Sequence, residues 1–308
     1  MTNSRRISVV IPVFNEQETL PELRRRLEES LRKYDFEVIF VDDGSRDSTL
    51  ALLVSYNAAD PRFKAVSFSR NFGHQVAISA GIEVADGDAV ILMDGDLQDP
   101  PEVLPQFIDK MAEGYEVVYA VRRQRKENIL KRAAYATFYR ILRRVSYLNI
   151  PLDSGDFCIM DRNVADVLRA LPERTRFVRG LRTWAGFNQI GLEYERDRRY
   201  AGKPKYNFGK LLKLAYDGIV AFSDVPLKVA VYLGMMSAVT AFFYAMVVVY
   251  EKVTNNIPVA GWSSTIVVIL ALGGLVLMTL GIIGEYISRI YEEVKRRPLY
   301  VIKQRIGL

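Results

Sequence analysis

The chain has 308 residues, half of them hydrophobic, with a formal charge of +6 and a single cysteine. That lone Cys158 excludes an intramolecular disulfide and a cysteine-based metal cluster, and it suits a reducing compartment. The length exceeds one typical domain and apolar residues crowd the C-terminal third, so a soluble part joined to something else is expected. Nucleic acid is not expected as a partner, because much of the positive charge is local. Between Arg122 and Arg144 nine basic residues face one acidic residue, Glu127, interleaved with Ile129, Leu130, Tyr135, Phe138 and Leu142. Such a pattern fits a basic amphipathic helix lying on anionic lipid headgroups, with an ordinary solvated helix face as the alternative.

In chain order, ISVVIPVF (Ile7 to Phe14) reads as a buried strand, followed by a helix from about Glu18 to Lys33 with Pro21 in its first turn. FEVIFVDD (Phe36 to Asp43) is a second strand, and GSRDST breaks the chain and caps a helix running to about Tyr56. FKAVSFS (Phe63 to Ser69) is the third strand. A small-residue helix near Gln75 to Ala85 leads into the fourth strand, DAVILMD (Asp88 to Asp94). A helix from about Pro101 to Glu113 and the strand Tyr115 to Val121 complete a Rossmann-like half, and the alternation predicts an α/β fold with a mostly parallel sheet. Beyond the basic stretch come a strand at Asp156 to Met160, a helix at Arg162 to Ala170 and a strand at Gln189 to Arg196. Asn207 to Phe222 reads as a second interfacial helix.

Val229 to Tyr250 and Trp262 to Ile283 are uncharged runs of 22 residues each. As helices they extend about 33 Å, enough for a hydrocarbon core of about 30 Å, so two transmembrane helices are predicted. The opening MTNSRRISVVIPVF has an apolar run that stops at Asn15 and Glu16, so no cleavable signal peptide is expected. Arg289, Lys295, Arg296, Arg297, Lys303 and Arg305 follow the second span, whereas the connection from Glu251 to Gly261 carries only Glu251 and Lys252. Both termini are therefore expected in the cytosol.

In an open parallel sheet, ligands bind beyond the carboxyl ends of the strands. Those ends are acidic here: Asn15 and Glu16 follow the first strand, Asp42 and Asp43 end the second, and Asp94, Gly95 and Asp96 follow the fourth, with Gln98 and Asp99 behind. The chain contains neither GxGxxG nor GxxxxGK[ST], which excludes dinucleotide and P-loop readings. Asp94 and Asp96, separated by one small residue, can hold one hard divalent cation, Mg2+ or Mn2+, whose remaining shell comes from diphosphate oxygens and water. A cation there stabilises the negative charge that builds on a leaving diphosphate. A solvated acidic turn is the competing reading of the DxD string alone; its place after an apolar strand, with acids at neighbouring strand ends, favours the metal.

The strings VVIPVFNEQETL, VDDGSRDST, NFGHQVAISAGIEVADGDAVILMDGDLQDPPE and DSGDFCIMDR resemble the family 2 glycosyltransferases of GT-A fold, specifically the polyprenyl-phosphate glycosyltransferases similar to bactoprenol glucosyltransferase and dolichol-phosphate mannose synthase. The likeness covers about residues 5 to 225, and the two spans with a basic tail resemble bacterial members that carry such a hairpin. It implies a cytosolic GT-A domain at 1–205, an interfacial helix at 206–226, a transmembrane hairpin at 227–288 (about 229–250 and 262–284) and a basic cytosolic tail at 289–308. The sequence does not give the oligomeric state, although the tail RPLYVIKQR could extend to a neighbour and support a homo-oligomer. The implied reaction is inverting, metal-dependent transfer of one hexose, with glucose favoured, from a UDP-hexose to polyprenyl (undecaprenyl) phosphate at a bacterial inner membrane. By the same resemblance Pro12, Asn15 and Glu16 line the nucleotide pocket, Asp43 contacts the base or ribose, and Asp94 and Asp96 bind the metal with Gln98 as a further contact. Helix capping is the competing role for Glu16 and Asp43.

A phosphate acceptor is largely ionised at neutral pH and needs charge neutralisation more than deprotonation. Arg122, Arg123, Arg132, Arg199, Lys203 and Lys205 are the candidates to hold it, a solvated or lipid-facing role being the alternative for each. In DSGDF, Asp156 is the candidate to face the acceptor as base or orienter, with Asp153 behind it or acting as a cap. His74, the single histidine, reads as a structural hydrogen-bonding residue rather than a general base. A processive polysaccharide synthase of the same fold would have more spans and a QxxRW string, which this chain lacks. A non-catalytic module that binds nucleotide sugar or lipid would have little use for a metal at a leaving group.

Overall fold

The structure, a computed structural model, describes residues 5–122, 154–174, 176–196, 225–255 and 261–308. They fall into two compact units, one of residues 1–144, 148–212 and 297–308, the other of 145–147 and 213–296. The first contains β1 (Ile7–Val13), α1 (Leu20–Leu31), β2 (Phe36–Asp42), α2 (Thr49–Ala59), β3 (Phe63–Phe68), α3 (His74–Val84) and β4 (Ala89–Leu92). A 3-10 turn (Pro101–Val103) then leads into α4 (Leu104–Ala112), β5 (Val117–Arg122), β6 (Ser154–Asp161), α5 (Arg162–Ala170), α6 (Val178–Trp184), β7 (Gln189–Tyr194) and, from the end of the chain, β8 (Ile302–Ile306). Among the described residues the strands form one sheet in the order β7-β5-β6-β4-β1-β2-β3-β8.

All residues of β1 are buried, as the run ISVVIPV, apolar except for Ser8, requires of a strand covered on both faces. Leu20, Leu23, Leu27 and Leu31 form the buried stripe of α1, while Arg24 and Arg25 pair with glutamates on its outer side, which is the amphipathic arrangement of a helix on a sheet. β1 runs parallel to β2 and β4, and β2 runs parallel to β3, as the alternation of elements predicts.

Two strands depart from that expectation. β6 enters antiparallel between β4 and β5, so the fourth and fifth strands are not neighbours. β8 pairs antiparallel with the edge of β3, and Tyr300 just before it stacks on Phe68 with ring centroids 4.9 Å apart and bonds to Glu83. The tail expected to reach a neighbour therefore closes the sheet of its own chain. Its sequence conceals this because Lys303, Gln304 and Arg305 are exposed, a charged edge strand that reads as a solvated tail.

The second unit holds α7 (Val225–Asn255) and α8 (Trp262–Val294). Their apolar spans, Leu227–Tyr250 and Val268–Val294, have mean hydropathies of 1.8 and 2.2 and are not buried. Large side chains along them face outward, Leu277 being 72% exposed, a surface suited to lipid. α8 continues past the expected end at 284 to Val294, and Glu285 and Arg289 pair at 3.2 Å one turn apart in that extension. The expected interfacial helix at 206–226 lies outside the described residues except for its last two positions, and so does the basic stretch after Arg122.

α3 lies so close to β1 that a Cβ on Gly81 would sit 2.1 Å from Val10 Cγ1. Valine is stiff at χ1, and Val10 is fully buried. Gly81→Ala is therefore expected to cost about 1–3 kcal/mol through overpacking. Thermal unfolding should show the melting midpoint falling by several degrees; an unchanged midpoint would mean the helix yields without strain.

Candidate active site

Because β1, β2 and β4 are parallel, their carboxyl ends share one edge. The turn Asp94-Gly95-Asp96 leaves β4 pressed against the end of β1, where a Cβ on Gly95 would lie 3.0 Å from Val13 Cγ1 and 3.3 Å from the Pro12 carbonyl. That contact explains the small residue between the two carboxylates. Pro12 is a buried member of β1. Asn15, in the left-handed region at φ 52, accepts the Arg46 N–H on Oδ1 at 2.8 Å and donates its own N–H to Ser45 Oγ at 2.9 Å. It staples the loop after β1 to the loop after β2.

The Glu16 carboxylate accepts the Thr19 hydroxyl at 3.1 Å, and its carbonyl accepts the N–H groups of Thr19 and Leu20, so its side chain bonds the residue that opens α1 without capping a helix N–H. Asp43 faces another way. Its Oδ1 accepts the Phe72 N–H at 2.6 Å and its Oδ2 the Gly73 N–H at 3.0 Å, so this carboxylate anchors the turn that launches α3. Burial pushes its pKa up against those two donors. The Gln98 N–H donates to Asp96 Oδ1 at 3.1 Å.

The antiparallel entry of β6 completes the edge. Leu92 pairs with Cys158, so continuing the register two residues sets Asp156 opposite Asp94. Between them stands His74, its Nε2 lying 3.4 Å from Asp94 Oδ1 and 3.7 Å from Asp156 Oδ2. Both contacts end on one nitrogen, so the two carboxylate oxygens are at most about 7 Å apart. Burial alone would lower the His74 pKa, but Asp94 and Asp156 outweigh it and lift it to about 9. Burial, with Asp96 and Asp156 adding like charge, pushes the Asp94 carboxyl up against the pull of His74.

Asp156 is gripped more firmly. Arg179 donates from Nε to Oδ1 and from Nη2 to Oδ2, both at 3.2 Å, and Gln75 Nε2 donates to Oδ2 at 2.8 Å. Gln75 Oε1 in turn accepts the Val178 N–H at 2.9 Å, tying the start of α3 to the start of α6. Burial opposes ionisation of Asp156, yet Arg179 and His74 hold its pKa far below the usual carboxylate range. A carboxylate so stabilised is a poor proton acceptor and a good orienter. Nothing in the string RFVRGLRTW marks Arg179, and Gln75 carries no motif; the one available signal is the recurrence of arginine at every third position, Arg176, Arg179 and Arg182. His74, read as structural from sequence, belongs to the site.

A second tie holds the acidic loop from behind. Asp99, 2% exposed, accepts the Tyr194 hydroxyl and lies 3.5 Å from Arg196 Nε. Tyr194 meets Phe157 of β6 edge to face at 5.7 Å. Of the remaining candidates, Arg122 ends β5 at the same edge. Asp153, Arg123, Arg132, Arg199, Lys203 and Lys205 lie outside the described residues.

The donor chemistry fits a hard divalent ion. Asp94 and Asp96 offer two carboxylates, and among the described residues no set of three histidine, cysteine or acidic side chains is arranged to hold a metal unaided. Positions would thus remain for phosphate oxygens and water, and a cation would relieve the crowding of like charge that helps to push Asp94 up.

A mostly parallel sheet with a paired-carboxylate turn after its fourth strand is the design of the GT-A sugar transferases. Residues 8–169 match the family model described as glycosyl transferase family 2, and residues 225–290 match the GtrB C-terminal hairpin. The chain belongs to the family 2 glycosyltransferases and is a glycosyltransferase with a membrane-associated hairpin. It is 47% identical over 311 residues to the uncharacterized glycosyltransferase YkcC of Bacillus subtilis, covering 100% of this chain and 96% of that one. Identity is 41% over 302 residues, 97% of this chain and 98% of the relative, to the SfII prophage-derived bactoprenol glucosyl transferase of Shigella flexneri. The solved glucosyl-3-phosphoglycerate synthase of Mycobacterium tuberculosis with Mn2+, UDP and product aligns at 23% identity over 70% of this chain and 78% of that one, with a TM-score of 0.45, too distant to bear on the site.

Tyr194→Phe removes one donor from buried Asp99. The expected loss of stability is about 1–3 kcal/mol, and slackening of the loop that carries Asp96 should raise the apparent donor KM roughly 10-fold. Denaturant unfolding and steady-state kinetics check both; a variant with unaltered donor KM would limit the Tyr194 contact to stability.

Proposed function

We propose that this enzyme moves one hexose, glucose, from a UDP-sugar to polyprenyl (undecaprenyl) phosphate, with inversion and with Mg2+ or Mn2+, at the cytosolic face of a bacterial inner membrane. The observation that carries the reading is the short span from Asp94 to Asp156 bridged by His74; the printed name of the Shigella relative supplies glucose and the lipid carrier. Asp94 and Asp96 would hold the cation, which when bound neutralises charge developing on the departing diphosphate. Pro12, Asn15, Glu16 and Asp43 lie at the strand ends where a nucleotide is held in this fold class, with Gln98 beside Asp96.

A phosphate monoester has its second pKa near 6, so the acceptor needs little help to lose a proton. Asp156, kept ionised by its partners, orients the acceptor side instead of deprotonating it. Attack from the face opposite the diphosphate inverts the anomeric carbon and needs no covalent enzyme intermediate. Arg122, Arg123, Arg132, Arg199, Lys203 and Lys205 supply positive charge for the lipid phosphate or for the membrane surface.

Topology supports the location. The chain enters the hairpin at α7 and rejoins the catalytic unit after α8, since residues 297–308 belong to that unit. Lys295, Arg296 and Arg297 follow the second span, as the positive-inside rule expects of a cytosolic end.

Labelled UDP-glucose and undecaprenyl phosphate, offered to the full-length enzyme, should yield label in an organic-extractable lipid, and chelator should abolish the transfer. Asp96→Ala is expected to lower turnover by about 100-fold or more. Undiminished turnover in that variant would remove the metal assignment, and faster transfer from another nucleotide sugar would remove glucose.

A further inference from the structure

We infer that Tyr300, in the tail that follows the membrane hairpin, is a positioning residue for the catalytic edge: it clamps both ends of α3 and so fixes His74 and Gln75, which stand on the first turn of that helix. The inference concerns how the edge is held. It rests on the transfer proposed above only for its activity readout.

Tyr300 stacks on Phe68, the last residue of β3, with ring centroids 4.9 Å apart and planes 20° from parallel. Phe68 meets Phe72 edge to face at 5.6 Å, and both arrangements are favoured by the ring quadrupoles. Phe72 immediately precedes Gly73, from which α3 springs at a φ of 106. The aromatic row therefore reaches the start of the helix. At its other end, in the last turn of α3, the Glu83 carboxylate accepts the Tyr300 hydroxyl. Burial and that carboxylate push the phenol pKa up, so the hydroxyl stays a donor. One side chain thus serves both ends of an 11-residue helix.

α3, α5 and α6 do not close on one another by themselves. A cavity of about 400 Å³ lies between them and the tail, lined by Ile82, Leu168, Val178, Leu181, Leu299 and Tyr300. Helices beside a void lack packing partners on that side, so their spacing there depends on what roofs it. Arg174, in the connection from α5 to α6, donates to the Arg297 carbonyl, and the Ser69 N–H donates to the Val301 carbonyl at 2.9 Å. The tail is tied down on both sides of Tyr300. Val178 lines the cavity and also donates its N–H to Gln75, whose Nε2 holds Asp156 at 2.8 Å. The clamp therefore ends at the carboxylate that faces His74.

Covering the open edge of β3 does not require Tyr300, because β8 does so from Ile302 onward. An aromatic residue ahead of the strand that bonds a helix serves the helix. β1, β2 and β3 lie between β4 and β8 in the sheet, so the turn that carries Asp94 and Asp96 is placed without the tail. Loosening Tyr300 should therefore disturb His74, Gln75 and Asp156 and spare the hold on the donor. The tail is also the direct continuation of α8, so the segment by which the chain leaves the hairpin is the one that orders this side of the site.

The test uses the full-length enzyme in lipid nanodiscs, assayed with UDP-glucose and undecaprenyl phosphate, with backbone amide exchange followed by mass spectrometry. Tyr300→Ala is expected to lower kcat about 10-fold with the donor KM within about twofold. Tyr300→Phe, which keeps the stack on Phe68, should lower kcat only about threefold. Amides in the first turn of α3 and at the start of α6 should exchange about 10-fold faster in Tyr300→Ala, while those of β1 and β4 keep the wild-type rate. Wild-type kcat in Tyr300→Ala, or faster exchange spread evenly over the sheet, would overturn the assignment and leave Tyr300 a residue of general stability. A wild-type enzyme that makes no lipid-linked sugar would strike the function proposed above instead; the exchange pattern needs no substrate and still decides this inference.

Discussion

Like charges brought to one edge of a sheet repel, and this site exists only because cations hold them there. Asp94, Asp96 and Asp156 converge since three parallel strands end on the same side and one antiparallel strand begins there. His74 lies between Asp94 and Asp156, and Arg179 also grips Asp156. The remaining imbalance falls on Asp94, whose carboxyl burial and its acidic neighbours push up, and that is the place a divalent ion relieves. Removing any one cation would redistribute the repulsion over the rest, so binding, positioning and charge are one problem here.

The scaffold answers that problem with short, stiff connections. α3 carries both His74 and Gln75 on its first turn. Asp43 anchors the turn before it through two backbone N–H groups, and Gly81 lets the helix lie against β1. Gln75 then passes the constraint to α6 by accepting the Val178 N–H. At the other side of the edge, Gly95 lets the acidic turn approach β1, and Tyr194 holds Asp99 at the turn's far end. Each functional side chain is thus set by an element whose own placement is overdetermined, which is what a preorganised site needs.

What the sequence disclosed was local. Apolar strands β1, β2 and β4 and the acids just beyond them are read within a few residues, as are two uncharged runs long enough to span a bilayer. What it concealed depends on contacts between distant segments. Asp156 follows Asp94 by more than sixty positions, and only the antiparallel entry of β6 makes them neighbours. His74 looked structural because a lone histidine in a loop has no visible partners until two strands and a helix are assembled around it. Arg179 lies in a short helix, α6, with no motif, and β8 hides behind the charges that protect an edge strand. The acceptor arginines chosen from composition fall largely outside the described residues, whereas the guanidinium seen at the site came from a stretch that composition does not single out.

The most direct measurement is anomalous diffraction from crystals of the full-length enzyme grown with Mn2+ and UDP. One manganese peak should appear between the carboxylates of Asp94 and Asp96, with diphosphate oxygens completing its shell and His74 turned toward Asp156. A peak elsewhere in the chain, or UDP bound at that edge with no ion in a preparation shown to be active, would contradict a cation gripped at the end of β4.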